Sequence, residues 1–426
     1  MSQTAYSPRK IHHCRLEEGI PPLPTGEAAY YLFWFNNIPL GHLWLDSVYP
    51  KDISEWEDFI LNALKKAFAY YFKPLTPPEK RQILRAFKDK SSFLNLRLSN
   101  NYKKIFDTPA PAELPSISVV ICTRNRTKAL KECLSRLLLS TEQNFEIVVV
   151  DNAPSDDGTA SLIKNEFPSV NYILEPRKGL DIARNTGAMT AKGDIIAYTD
   201  DDVMVTPEWV AQIRRSFSDP QTMSVTGLVI PYQLNTEAQC FFERFWGFNK
   251  GHEPLVFDHE YFEKHLPVGV PAWDVGAGAN MAFRKSVFEK VGYFDERLDV
   301  GASGCSGDSE FWYRIMAEGF TCRYFPHIYV YHQHRESWEE LKKQIHAYMR
   351  GNVSSVLVQY QKYRHKGELY RLRKSLPIYY LKRLKYAILH PKSKHNKFMF
   401  EEIKGCFSGW RFFIKNKNTN AYPLSK

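Results

Sequence analysis

The chain has 426 residues, 44% hydrophobic, 24% charged and 14% aromatic, which excludes a disordered or low-complexity protein and leaves room for two or three domains. Seven scattered cysteines, odd in number and without a C-x-x-C pair, argue against a disulfide framework or a structural zinc site and predict a reducing cytosol. The opening MSQTAYSPRK has no apolar signal region, and no run reaches the ~18 apolar residues of a membrane span. Net charge is +10 and unevenly placed: Leu341 to Lys426 holds 20 Lys/Arg against 3 acidic residues, +17 there and −7 elsewhere.

Three blocks are predicted. Residues 1–115 form an α+β extension and linker. YYLFWF (Tyr30 to Phe35), the turn pair Asn36-Asn37 and IPLGHLWL (Ile38 to Leu45) spell a β-hairpin. Helices follow over Ser54 to Phe72, with Ser54 and Glu57 as a capping box, and over Pro77 to Phe87 after Thr76. The proline-rich Asp107 to Pro115 reads as a linker.

Residues 116–335 alternate strand and helix. SISVVICT (Ser116 to Thr123) is a short apolar strand, and the helix after it places Leu130, Cys133, Leu134, Leu137 and Leu138 on one face. FEIVVVD (Phe145 to Asp151), NYILE (Asn171 to Glu175) and DIIAYTD (Asp194 to Asp200) are further strands, with a helix over Leu180 to Ala191. Near-continuous apolar strands in β-α-β order predict a mainly parallel, doubly wound α/β sheet that binds ligands at the carboxyl ends of its strands. Residues 336–426 form a basic helical segment, opening at the N-cap Ser337 and including LPIYYLKRLKYAIL (Leu376 to Leu389).

The chemistry is expected where strands stop. Asp151 ends one strand and Asp200-Asp201-Asp202 ends another of the same sheet. Three adjacent carboxylates are costly to desolvate alone, and hard divalent cations bridge such carboxylates to phosphates. The competing reading is a solvated turn before the helix at Pro207. Asp157 and Thr159 read as turn and cap residues. Asn152 is placed to hydrogen-bond a base or ribose. Arg177-Lys178-Gly179 and Arg184 supply cations for a pyrophosphate, against a solvated basic loop. GAGAN (Gly276 to Asn280) lacks dinucleotide-loop spacing, so Gly278 and Asn280 are assigned to a small-residue loop that admits a sugar. In GDSEFWYRI, Asp308 is a candidate general base or an N-cap, and Trp312 a sugar platform or a core residue. His332 and His334, two apart at a strand end, are expected on opposite faces, with His332 the candidate metal or phosphate ligand.

Taken in order, VVICTRNR, EIVVVDNAPSDDGT, RKGLDIARNTGAMTAKGDIIAYTDDDV, GAGANMAFRKSVFEKVGYFDERL, GDSEFWYR and VYHQHR resemble the family 2 glycosyltransferases of the GT-A fold, most of all bacterial enzymes of surface or exopolysaccharide synthesis. The resemblance spans Ser116 to Arg335. It implies a Rossmann-like nucleotide-sugar domain, with Thr123, Arg124, Asp151, Arg177, Arg184 and Asp201 on the nucleotide side. It implies Asp200 and Asp202 as the outer residues of a D-x-D motif holding Mn²⁺ or Mg²⁺, with Asp202 chiefly on the metal, and Asp308 as the acceptor-side base. Two departures stand out: Asn152 where the family often has a second Asp, and Gly307 where it often has Glu before the base. The implied reaction is an inverting single displacement from a nucleoside-diphosphate sugar, most simply a UDP-sugar, to a glycan or lipid-linked hydroxyl.

Two rivals differ in class. Tyr198-Thr-Asp-Asp resembles the hairpin of a polymerase palm, and an inactive sugar-binding module would keep the same pocket. Pro207 and a helix after the triplet, where a palm has a returning strand, weigh against the polymerase, and no nucleic acid partner is expected. The basic segment fits either an anionic membrane surface or a solvated helical subdomain. The expected location is cytoplasmic, at the inner face of the plasma membrane if that segment binds lipid.

Overall fold

The computed structural model describes residues 6–46, 48–89, 92–102, 114–391 and 393–422. Near the N-terminus, β1 (Lys10–Arg15), β2 (Ala29–Phe35) and β3 (Ile38–Leu45) form a small sheet; β1 runs parallel to β2, and β2–β3 is the expected hairpin, with Asn36 at φ 51° in its turn. Every residue of β2 is buried, because both faces of this sheet are covered. Tyr31, Phe33 and Phe35 pack on the helices that follow, Tyr31 edge-on to Trp56 at 5.3 Å. Tyr30, Leu32 and Trp34 instead join the main core, Trp34 meeting Tyr329 at 4.8 Å. The extension is thus packed into the core of the main sheet by its own alternation.

The first predicted helix differs in detail. It begins at Ile53 and breaks at Leu64 into Ile53–Ala63 and Lys65–Tyr71. Its cap is Asp52, which accepts from the Glu55 amide while Glu55 reaches back to the Lys51 amide, so the box sits two residues before Ser54 and Glu57. Glu57 is buried and takes both guanidinium arms of Arg85. The linker Asp107–Pro115 lies outside the described residues except for Leu114 and Pro115.

The main sheet has nine strands among the described residues: β4 (Ile117–Thr123), β5 (Glu146–Asn152), β6 (Asn171–Glu175), β7 (Ile195–Asp200), β8 (Val203–Val205), β9 (Thr222–Pro231), β10 (Leu255–Phe257), β11 (Asn280–Arg284) and β12 (Thr321–His332). The order is β10-β12-β9-β11-β7-β4-β5-β6, with β8 on β12. β6, β5, β4 and β7 are mutually parallel, the doubly wound half read from sequence. β11 enters antiparallel between β7 and β9, so the second half is mixed. Strands β4 and β5 are apolar almost throughout because helices cover both faces, the Leu180–Thr190 helix on one and the Thr127–Leu137 helix on the other. Leu138, expected on the buried face of the latter helix, ends it and is exposed.

After β7 the chain turns at Asp201-Asp202 into β8, which pairs with β12 rather than returning along β7. That pairing is not a palm hairpin. The C-terminal segment is helical as expected: Ser337 caps Trp338–Tyr363, followed by Leu376–Leu389 and Met399–Asn416. Among the described residues, no helix is long and apolar enough to cross a membrane.

Candidate active site

A cavity of about 1050 Å³ opens where β4, β5 and β7 end. Its wall includes Thr123, Arg124, Arg126, Asn152, Lys178, Gly179, Arg184, the whole Asp200–Asp202 triplet, Gly278, Asp308 and His332. Parallel pairing puts Thr123, Asp151 and Asp200 at neighbouring strand ends, which explains why segments distant in sequence converge here.

The triplet divides its labour by orientation. Asp201 is buried and both its oxygens are taken, by the Thr123 hydroxyl at 2.8 Å and by Arg126 at 2.5 Å. Arg126 also reaches Asp202 Oδ2 at 3.0 Å. Asp200 is pushed up to about 7 by burial and by the neighbouring Asp202 charge, with Arg184 opposing. Asp202 lies below the ordinary carboxylate value: burial opposes ionisation, but in the acid range where it titrates a protonated His332, with Arg126 and Arg335, outweighs it. A site with one carboxylate held ionised beside one that is readily protonated has unsatisfied negative potential, which suits a cation.

The histidines sharpen this. His332 Nε2 lies 3.7 Å from Asp202 Oδ1. His332 Nδ1 is 3.0 Å from His334 Nδ1, and His334 Nε2 is 2.9 Å from Glu243 Oε2. Glu243 accepts, so a neutral His334 carries its proton on Nε2 and must accept at Nδ1. His332 therefore donates from Nδ1 and turns a lone pair on Nε2 toward the Asp202 oxygen. Burial also pushes His332 down to about 4, which keeps it neutral. In that tautomer two acceptors face each other, the Asp202 oxygen and His332 Nε2, with the His334–Glu243 pair orienting the His332 ring from behind. The expectation that the two rings point to opposite faces fails because β12 ends at His332 and strand alternation stops there.

Among the described residues no group of three His, Cys, Asp or Glu is placed to enclose a metal by itself. Mg²⁺ and similar hard ions are commonly held by one or two carboxylates together with substrate phosphates and water, a mode the Asp202 carboxylate fits, while the His332 imidazole beside it suits a transition metal. Replacing Glu243 by alanine removes the acceptor that fixes both tautomers. Mn²⁺ affinity, read by electron paramagnetic resonance, is expected to fall ~10–100-fold.

The opposite wall is built around Arg184, which pairs with Asp181 at 2.9 Å and Asp299 at 2.8 Å, all three buried. Asp308 stands on the first turn of the Gly307–Ala317 helix, its Oδ2 accepting from the Gly278 amide at 2.8 Å and its Oδ1 from the Ser309 amide at 2.6 Å. Burial and the Asp299 charge push Asp308 up, Arg184 opposing. Two of the six non-glycine residues with positive φ among those described line this cavity, Asp299 and Ser306. Such strain concentrates where geometry is imposed by function.

Several expected residues lie elsewhere. Asp151 is fully buried behind the wall, bonded by the Tyr172 hydroxyl at 3.1 Å. Asn152 lines the cavity in its place, holding the Arg177 carbonyl at 2.7 Å and the Gly179 amide at 2.9 Å. The Arg177 side chain turns away to Glu175 and Glu296, leaving Lys178 and Gly179 on the wall. Asn280 is a core linchpin, its amide donating to the Leu228 and Ile328 carbonyls and its oxygen accepting from Trp209. Trp312 is wholly buried and donates to Ser224, so it is a core residue and not a sugar platform. Arg126, which no expectation singled out, is the residue that clamps the triplet.

Residues 118–292 match the family described as Glycosyl transferase family 2. That stretch, less than half of the chain, is what is similar to the family. It is 24% identical to a glucosyl-dolichyl phosphate glucuronosyltransferase of Haloferax volcanii over 42% of this chain and 56% of that protein. It is 27% identical to a probable glycosyltransferase, YdaM, of Bacillus subtilis over 61% of each. Among solved structures it is similar to the mannosyltransferase PcManGT from Pyrobaculum calidifontis in complex with GDP-Man and Mn²⁺, at 17% identity and TM-score 0.47, covering 72% of this chain and 92% of that one. The chain spans 56–62% of the length of the first three curated relatives it matches.

At Gly307, where the sequence resemblance led us to expect Glu, the packing accounts for a glycine. A Cβ there would run into the Asp181 carboxylate. Asp181, buried on the Leu180–Thr190 helix, fills the space a longer side chain at 307 would need. Gly307→Ala is expected to cost about 1–3 kcal/mol, read as a lowered unfolding midpoint in denaturant.

Proposed function

We propose that the protein transfers a glycosyl group from a nucleoside-diphosphate sugar to an acceptor hydroxyl by an inverting, cation-assisted displacement. One observation carries this reading: the Asp202–His332 acceptor pair and the Asp308 carboxylate open into the same cavity. Asp202 and His332 would hold Mn²⁺ or Mg²⁺, which when bound offsets the charge of the departing diphosphate. Thr123, Arg124, Asn152 and the Lys178-Gly179 loop form the nucleoside end of the wall. Arg126 positions Asp202 by a direct bond and is itself held by Asp201. Asp308, raised toward neutrality by burial, takes the proton of the acceptor hydroxyl, whose oxygen then attacks the anomeric carbon. A single base suffices because no glycosyl-enzyme forms.

A UDP-sugar is the proposed donor, and a glycan or lipid-linked molecule the proposed acceptor, in the building of a surface polysaccharide on the cytoplasmic side of the membrane. The three blocks 1–115, 116–335 and 336–426 would then be extension, catalytic unit and basic helical segment. A panel of nucleotide sugars, assayed for nucleoside diphosphate release with Mn²⁺ and with EDTA, tests it. One donor is expected to give cation-dependent release. Binding of a donor without release under any condition would make the protein a sugar-binding module instead.

A further inference from the structure

The Leu376–Leu389 helix is built inside out. Among its side chains Arg383 is buried, bonded to Glu402 at 2.5 Å and to Asn396 at 3.2 Å, while the Tyr380 hydroxyl also donates to Glu402. Ile378, Leu381, Leu384, Ile388 and Leu389 face outward, 43–72% exposed. With 100° per residue, Ile378, Leu381, Ile388 and Leu389 fall on the side opposite Arg383. The neighbouring Met399–Asn416 helix repeats the pattern. Gly405 and Gly409 press against the His346 and Arg350 carbonyls, so its inner side is fixed by close backbone approach. Phe400, Phe407, Trp410 and Ile414 are left exposed.

Nine large apolar side chains on two adjacent short helices exceed what a solvated surface explains. Their setting is cationic. Lys382, Lys385, Lys404, Arg411 and Lys415 are exposed among them. The two carboxylates between Leu376 and Asn416 are already engaged, Glu401 by the His346 ring and by Lys404, and Glu402 by Arg383. Aliphatic and aromatic groups interleaved with long cationic chains match the boundary between acyl chains and anionic headgroups, where lysine and arginine stems extend toward phosphates. A protein interface core is depleted in lysine.

We propose that this face docks the protein onto an anionic lipid bilayer and so presents the catalytic cavity to an acceptor anchored in that bilayer. The link is structural: Leu376, Tyr379 and Tyr380 of the docking helix, with Glu402 of its neighbour, also line the cavity that holds Asp202 and Asp308. An acceptor with a polar head and an apolar tail would enter along this wall. The acceptor half of the proposal rests on the glycosyl-transfer reading; the docking half does not.

The test is flotation of the full-length protein with vesicles of phosphatidylcholine alone or mixed with phosphatidylglycerol. Wild type is expected to float with the mixed vesicles and at least ~10-fold less with phosphatidylcholine. Leu381→Ser/Ile388→Ser and Lys382→Glu/Lys385→Glu are each expected to reduce flotation at least ~10-fold. These side chains lie outside the cavity wall, so unfolding midpoints and donor hydrolysis without vesicles are expected to stay unchanged. Equal flotation with both vesicle types, or none with either, overturns docking. So does a wild-type dimer in solution that the Leu381→Ser/Ile388→Ser variant converts to monomer without altering flotation. Flotation without donor hydrolysis would overturn the transfer reading and leave docking intact.

Discussion

Replacing Asp308 by asparagine is expected to lower transfer by ~10²–10⁴-fold while leaving the fold and donor affinity near wild type. The substitution keeps the shape and one acceptor oxygen for the Gly278 amide, so the loop over the cavity is retained. What it removes is the basic oxygen. The loss should therefore fall on kcat rather than on the donor KM. The wild-type pH profile carries a matching signature. Burial and Asp299 raise the Asp308 carboxyl, so its ionised, proton-accepting form is lost at a higher pH than for an ordinary aspartate. Activity should rise with pH on that acid limb, and the limb should vanish in the residual activity of the variant. Near-normal turnover in Asp308→Asn would remove it from the mechanism.

Asp202→Ala is expected to cost several kcal/mol of transition-state stabilisation, at least ~100-fold in kcat/KM, because the cation's protein anchor is gone. It also has a readout independent of turnover. In metal-free protein the Asp200 carboxyl is raised from 3.8 to about 7, first by burial and next by Asp202. A carboxylate raised in the folded state stabilises the fold fully below its unfolded value, and that contribution is lost as pH climbs through the folded value. Thermal melts in EDTA should therefore show stability falling between about pH 4 and about pH 7. Asp202→Ala relieves the repulsion and should flatten that fall. An unchanged slope would mean that the two carboxylates do not share a field.

The sequence carried the parallel half of the sheet because β4, β5 and β7 are covered on both faces, and continuous apolar runs record that directly. It carried the position of Asp200 to Asp202 because a strand of this kind must end at the ligand crevice. Other features were illegible for definite reasons. Trp312 and Asn280 sit in motif segments, and a motif does not state which of its side chains point inward; their bonds to Ser224 and Trp209 come from partners far away in sequence. The two arginines in TRNR are equivalent as letters. The left-handed backbone at Asn125 separates them, sending Arg126 to the triplet and Arg124 to the Ala153 carbonyl. Asp181 was invisible as the reason for Gly307 because nothing local links a residue on one helix to the start of another over a hundred positions on. The all-apolar β2 spelled a hairpin correctly, yet only the packed chain shows that its second face belongs to the core of the main sheet.

The most direct test of the central claim is a calorimetric titration of UDP into the wild-type protein, with Mn²⁺ and again with EDTA. Saturable binding is expected with Mn²⁺, weakening at least ~100-fold in EDTA and in Asp202→Ala. Equal affinity in Mn²⁺ and EDTA, or a full Mn²⁺ response retained by Asp202→Ala, would contradict it.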